Sequence, residues 1–263
     1  MIIKMKNNIS ISILLLISLI GCSQNHEFAR ISTNTNNVIE FEGLKYNTIE
    51  EFSVVFENWV TEQKTIVESP IVEFRPNPEA KMEFVNKLKD VLKEYHNILR
   101  VSIVSQDGKQ MLVKFPPRIN KKDIPDFSFL KKRNILNFKV SENGIFKDSL
   151  MKQSIPLEQV IPLVLDYIIS DGTNHNLPEK TVYKIPEIGV FNAATKLIIT
   201  LKYSPEVTFS NYEKVKWEIL SGYENARNMK SNEIYKRDYG ELIESERKLI
   251  NEIIPIMLSE LPW

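Results

Sequence analysis

The 263 residues carry 34 Lys plus Arg against 34 Asp plus Glu, a formal net charge of +0, with 43% hydrophobic and 10% aromatic content. This composition is ordinary for globular protein, and the charge balance gives no bulk argument for nucleic acid or an anionic membrane surface as partner. The only cysteine is Cys22, so a disulfide framework and a zinc-ribbon site are excluded by count, and stability must come from apolar burial.

The chain opens with "MIIKMKNN", in which Lys4 and Lys6 precede the uncharged run Ile9 to Ile20 and the tetrad Leu19-Ile20-Gly21-Cys22. A basic start, an apolar stretch and a small residue before the cleavage point are the pattern of a processed secretory signal. The tetrad places Cys22 where bacterial lipoproteins carry their lipid. The apolar run is shorter than the roughly 20 residues needed to cross a bilayer. The sequence therefore predicts a signal peptide over 1–21 and lipid attachment at Cys22. A polar stretch rich in Asn, Ser and Thr over 22–36 reads as a tether, with a coil span on the order of 20 Å.

From 37 the pattern becomes regular. "NVIEFEGLKY" reads as a strand, and "TIEEFSVVFENWVTEQK" puts Ile49, Phe52, Val55, Phe56 and Trp59 at helical spacing behind Thr48 as N-cap. "PIVEFRP" predicts a second strand. A second helix follows with Met82, Val85, Leu88 and Leu92 on one face, and then the strand "ILRVSIVSQ". Asp107-Gly108 turns into "KQMLVKF", a hairpin partner. The order is βαβαββ, an α+β domain over 37–115.

Residues 116–133, proline-bearing, basic and aperiodic, predict a linker. A second α+β domain is expected over 134–263: "NFKV" turning through Glu142-Asn143-Gly144, the helix "IPLEQVIPLVLDYI", a long loop, the strand "KLIITLKY" and a helix from "NYEKVKWEIL". "IVEFRPNPEAKM" lies on "IITLKYSPEVTF", with Pro78-Glu79 over Pro205-Glu206 and Met82 over Phe209. Upstream, Glu50 lies over Glu158 and Trp59 over Tyr167. The reading is a tandem repeat of two domains, each a sheet of about four strands with two helices packed on it, with proline fixing the backbone where the chain leaves the sheet.

The second half resembles the periplasmic domain of the ExbD/TolR biopolymer-transport family, in the form found in Bacteroidetes. The resemblance is carried by "NLPEK" followed by "IPEIG", by "TLKYSPEVTFSNYEKVKWEI", by "YENAR" with Tyr223 and Arg227, by "YGELIESERKLINEI" and by "PIMLSELP" with Pro255, Ser259 and Glu260. It implies a partner-binding or structural role for those five residues and a place beside a TonB or Tol-Pal type motor. The family's coupling residue is an aspartate within a membrane-crossing helix, and residues 9–21 contain neither Asp nor Glu.

No catalytic constellation competes with this reading. His26, His96 and His175 lie far apart without metalloprotease or nucleophile-elbow spacing. Asp171, His175 and Glu179 share a loop, but the Gly, Asn and Pro between them fit a surface turn better than a metal site. Trp59 and Trp217 read as core anchors, and Glu244 with Lys248 as a solvated helix pair. The expectation is a non-catalytic lipoprotein on the periplasmic side of a membrane, without cofactor or metal. It would serve as an accessory or adaptor of a TonB/Tol-type transport complex. Its partners are envelope proteins of ExbB/ExbD or TonB-like kind or a second copy of itself, and it reaches the membrane through the lipid. The alternative is an envelope lipoprotein that binds peptidoglycan or another envelope protein with no motor connection.

Cys22 supplies the first test. A fatty-acid analogue fed to expressing cells should label the wild-type chain and leave Cys22→Ala unlabelled, because only the thiol accepts the lipid; an unlabelled wild type contradicts the anchor.

Overall fold

A computed structural model describes residues 28–65, 70–95, 97–105, 107–113, 131–147, 154–185 and 189–262. The expected signal peptide, Cys22, and most of the expected linker over 116–133 lie outside these residues. The chain is mixed α/β and divides into two units, one formed by residues up to Asn77 with Lys87–Phe115, the other by Pro78–Asn86 with the chain from Pro116 onward.

The first unit holds six strands: β1 (Phe28–Thr33), β2 (Ile39–Phe41), β3 (Leu44–Tyr46), β4 (Ile71–Arg75), β5 (Arg100–Val104) and β6 (Gln110–Val113). They form one sheet in the order β3-β2-β1-β4-β5-β6. β1 pairs antiparallel with β2 and parallel with β4, and β4 is parallel to β5. Parallel neighbours need a crossover rather than a tight turn. Helix α1 (Ile49–Gln63) lies in the connection to β4, and helix α2 (Met82–Glu94) in the connection from β4 to β5.

Local chemistry starts α1 where the sequence predicts. Thr48 Oγ1 accepts from the Glu51 N–H at 3.1 Å, which satisfies a donor that the first turn leaves unpartnered, and the Glu51 carboxylate reaches back to accept from the N–H of Asn47, just before the cap. Phe52, Phe56 and Val60, spaced by four, are buried. Phe41 of β2 meets the rings of Phe52, Phe56 and Trp59 edge-on at 5.7, 5.6 and 5.7 Å. Such pairs contribute on the order of 1 kcal/mol each beyond the area they bury. Trp59 is thus packed among aromatic rings, as expected of a core anchor.

Two expectations for this region are corrected. Phe28–Thr33, expected within the polar tether, is a strand paired on both sides. Ala29 and Ile31 alternate inward among polar residues, a period-two signal that the surrounding Asn, Ser and Thr obscure. "NVIEFEGLKY" is two strands rather than one, because the chain reverses at Glu42 and Gly43, with φ of 50° and 76°. Two successive residues with positive φ make the mirror-image turn that suits hairpin twist.

The second unit's main sheet contains β7 (Ile135–Ser141), β8 (Gly144–Phe146), β9 (Ser154–Ile155), β12 (Ile198–Tyr203) and β13 (Leu258–Pro262), in the order β13-β12-β7-β8-β9. Its helices are α3 (Val160–Ile169), α4 (Phe209–Tyr235) and α5 (Glu244–Ile253). β7 pairs antiparallel with β8 and parallel with β12, which is parallel to β13. The wiring is that of the first unit, with β7 in the position of β1, β12 of β4 and β13 of β5. The sheets are larger than the expected four strands, because β1, the β2–β3 hairpin and the C-terminal strand β13 add to the runs read from sequence. The long loop expected after α3 contains a further hairpin, β10 (Thr181–Ile185) with β11 (Gly189–Ala193), which has no counterpart in the first unit.

Segment 78–86, part of the second unit, is held there by reciprocal backbone bonds. Met82 donates to Val207 O and Phe209 to Ala80 O, both at 2.8 Å; Glu83 donates to Pro205 O at 3.0 Å and Ser210 to Pro78 O at 2.9 Å. The two proline-bearing corners aligned in sequence therefore bond to each other with matched partners.

Helices α3 and α4 approach closely where Gly222 faces Val164. A Cβ on Gly222 would sit 2.5 Å from Val164 Cγ1. In an isolated helix, Gly→Ala is stabilising by about 1 kcal/mol. Here we expect Gly222→Ala to destabilise by about 1–3 kcal/mol through overpacking, with part of the loss recovered in Gly222→Ala/Val164→Ala. Urea midpoints of the three variants test this; a more stable Gly222→Ala would contradict the close approach.

Candidate functional site

The five residues singled out by family resemblance converge on the C-terminal segment of the second unit. Tyr223 and Arg227, one turn apart on α4, face the chain between α5 and β13. The Arg227 guanidinium donates to Ile254 O through Nε at 3.2 Å and Nη2 at 3.0 Å, and Tyr223 Oη accepts from the Met257 N–H at 3.3 Å. Pro255 sits between those two anchors. Beyond them the chain joins β12 as an edge strand, with Ser259 opposite Thr200 and Glu260 opposite Leu201.

That register places Glu260 on the same side of the sheet as buried Leu201, beneath α4. Its carboxylate pairs with Lys216 Nζ at 2.6 Å and accepts from the Tyr212 hydroxyl. Lys216 is only 7% exposed, and its Nζ lies 5.7 Å from the centroid of the Tyr212 ring. Glu260 is half-buried, so removing it and leaving the Lys216 ammonium desolvated costs at most about 3 kcal/mol, the low end for buried pairs. Tyr212 is also packed edge-on against Tyr203 at 4.8 Å. Burial, and then the Glu260 charge, push the Tyr212 hydroxyl well above its ordinary ionisation range. Burial likewise pushes Tyr223 up to about 12, against the opposing effects of the Met257 N–H and Arg227.

A second carboxylate cluster surrounds Glu179. It accepts from Lys131 and Arg133 and pairs with Lys196 at 3.3 Å, and hydrogen bonds from the first two hold it down at about 2. Asp171, weighed with Glu179 as a metal ligand, instead accepts from the Thr173 N–H and hydroxyl at 2.9 and 2.7 Å, which lowers its ionisation range. His175 is exposed, while His26 and His96 lie outside the described residues. Among the described residues no group of three or more His, Cys, Asp or Glu side chains is arranged to hold a metal ion.

Two polar centres went unread in the sequence. Lys180 Nζ donates to Tyr167 O and Ile168 O at 2.9 and 2.5 Å, a cation on the last carbonyls of α3. Burial, and then Lys230, lower it to about 8. Nothing in the spacing joins Lys180 to a helix end across a loop. In the first unit, Glu73 is buried within the sheet; it accepts from Arg30 at 3.3 Å, from Arg75 at 2.8 and 3.1 Å and from Gln110 at 3.0 Å. The alternation in "IVEFR" does set Glu73 apart from Val72 and Phe74, but its partner Arg30 belongs to the strand that was read as tether.

No family model, curated protein or solved structure matches this chain. No helix among the described residues is long and apolar enough to cross a membrane.

The tyrosines give a pH test. In the unfolded chain Tyr223 ionises near 10, whereas in the fold it keeps its proton to about 12. The folded state therefore binds more protons between those values, and stability present below pH 10 falls as the pH rises towards 12, by about 2–3 kcal/mol for this group. Tyr212, also raised, adds in the same direction. Urea unfolding across this window should show the loss, and Tyr223→Phe should show a smaller one; a slope unchanged by Tyr223→Phe contradicts the assignment.

Proposed function

We propose that the chain is a lipid-anchored, periplasm-facing accessory or adaptor of a TonB/Tol-type energy-transducing complex, built from two tandem ExbD/TolR-like domains. The observation that carries this reading is the repeated sheet wiring: in each unit a strand with an antiparallel hairpin partner is followed, across helical crossovers, by a second and a third parallel strand, the second unit adding the β10–β11 hairpin and a third helix, α5, where two helices were expected. The resemblance rests on motifs in the second half alone, and the shared wiring is what extends it to the first. Of the residues that the motifs single out, Tyr223, Arg227 and Glu260 tie α4 to the C-terminal segment, so the role assigned to them is support for an edge strand rather than chemistry.

Protein partners bind by surface in this reading. A sheet edge presents unpaired backbone donors and acceptors to an extended segment, and β13 is such an edge, with Leu261 exposed. The anchor is acyl chain on Cys22, and Ile9 to Gly21 carries no acid, so the chain lacks the intramembrane carboxylate through which its relatives move protons. It therefore binds the complex without driving it.

Co-purification from native membranes tests this directly. The acylated chain should bring down motor subunits of ExbB or TolQ type, and it should fail to restore energy-dependent uptake when it is the sole ExbD-like protein present. Recovery of cell-wall fragments without motor subunits, or restored uptake, would contradict the adaptor role.

A further inference from the structure

We infer that the face of the first unit's sheet bearing exposed Phe28, Ile71 and Arg100, at the end where β1, β4 and β5 begin, docks onto the phosphate headgroups of an anionic phospholipid bilayer. This rests on the acylation of Cys22 proposed above. Phe28, Ile71 and Arg100 are the first residues of these three parallel strands and stand side by side in register. Strand alternation puts them, with Arg30 and Arg75, on the face opposite buried Ala29, Val72 and Val101. Phe28 and Ile71 are 40% and 41% exposed, and the Arg30 guanidinium lies 5.9 Å from the Phe28 ring centroid.

The charge on this face is locally positive although the whole chain is neutral. Arg30, Arg75 and Arg100 share this face with Glu73, whose carboxylate takes Arg30 and Arg75; Arg100 stands at the strand starts and Arg75 at the far end of β4. Further along the face, Glu40 stands opposite Lys45 on the neighbouring strand. Apolar side chains flanked by arginine suit the boundary between headgroups and acyl chains, where the stems lie against hydrocarbon and the cations reach phosphate.

Reach selects the bilayer as the occupant. Because β1 begins at Phe28 and not after a long tether, the chain from Cys22 to Phe28 spans at most about 20 Å. Acyl chains on Cys22 fix that residue at the membrane surface, and the starts of β1, β4 and β5 stay close to it. The headgroup field decays over about 8–10 Å at ordinary salt, so the anchor keeps Arg100, at this end, within roughly two decay lengths of the phosphates.

Fluorescence quenching in vesicles tests the docking. Once Cys22 is acylated, Ile71→Cys offers a single free thiol for an environment-sensitive dye, and Val54→Cys, exposed on α1, serves as reference. Full-length acylated protein is reconstituted into vesicles of phosphatidylglycerol and phosphatidylethanolamine that carry a headgroup quencher. The label at 71 is expected to be quenched several-fold more than the label at 54. The difference should shrink in Arg100→Glu, in high salt and in phosphatidylcholine vesicles. Equal quenching at 71 and 54 in acylated protein overturns the docking and leaves the anchor standing. A chain whose Cys22 carries no acyl group overturns the anchor and the docking with it.

Discussion

The parallel pairing of β1 with β4 is the constraint on which the first unit depends, and β7 with β12 plays the same part in the second. A parallel pair cannot be closed by a short turn, so the chain must leave the sheet, cross over it and return. That requirement creates the places for α1 and α3. It also makes β1 and β7 central, each with an antiparallel partner on its other side. Once the centre is fixed, the inward positions follow: Ala29 and Ile31 of β1, Val72 and Phe74 of β4, and Leu136, Phe138 and Val140 of β7 are all buried.

Charge is used chiefly to hold this scaffold together. Glu73 joins side chains from β1, β4 and β6, Glu260 fastens β13 beneath α4, and Glu179 gathers three cations. Each carboxylate has more than one donor around it, as a partly desolvated anion requires. Tyr223 and Arg227 do the same for the last connection, where Pro255 interrupts the run of backbone donors.

The helices were legible because their signals are local. Thr48 caps α1 and the apolar spacing through Val60 marks its buried face; Met82, Val85, Leu88 and Leu92 of α2 are all buried as their spacing indicated. The short strands were not. β1 carries two inward apolar residues in a polar neighbourhood, and pairing with strands distant in sequence decides its state. The β10–β11 hairpin was hidden for a related reason: Val182 and Val190 face outward, so its alternation is not tied to a core. Of the candidate site, Tyr223, Arg227, Pro255, Ser259 and Glu260 were nameable, but that they meet at one segment depends on α4 running past β13, which no spacing rule reveals. Lys216 reads on the helix as an ordinary surface lysine until β13 brings Glu260 beneath it.

β1 is the pivotal element, since the shared wiring and the short reach from Cys22 both require Phe28–Thr33 to be a central strand. Hydrogen–deuterium exchange of the full-length protein measures this directly. Peptides covering 28–33 should exchange as slowly as those covering β4 and β12, and far more slowly than the turn at 34–37. Exchange over 28–33 as fast as that turn would contradict the account, returning the segment to a tether and removing the equivalence of the two units.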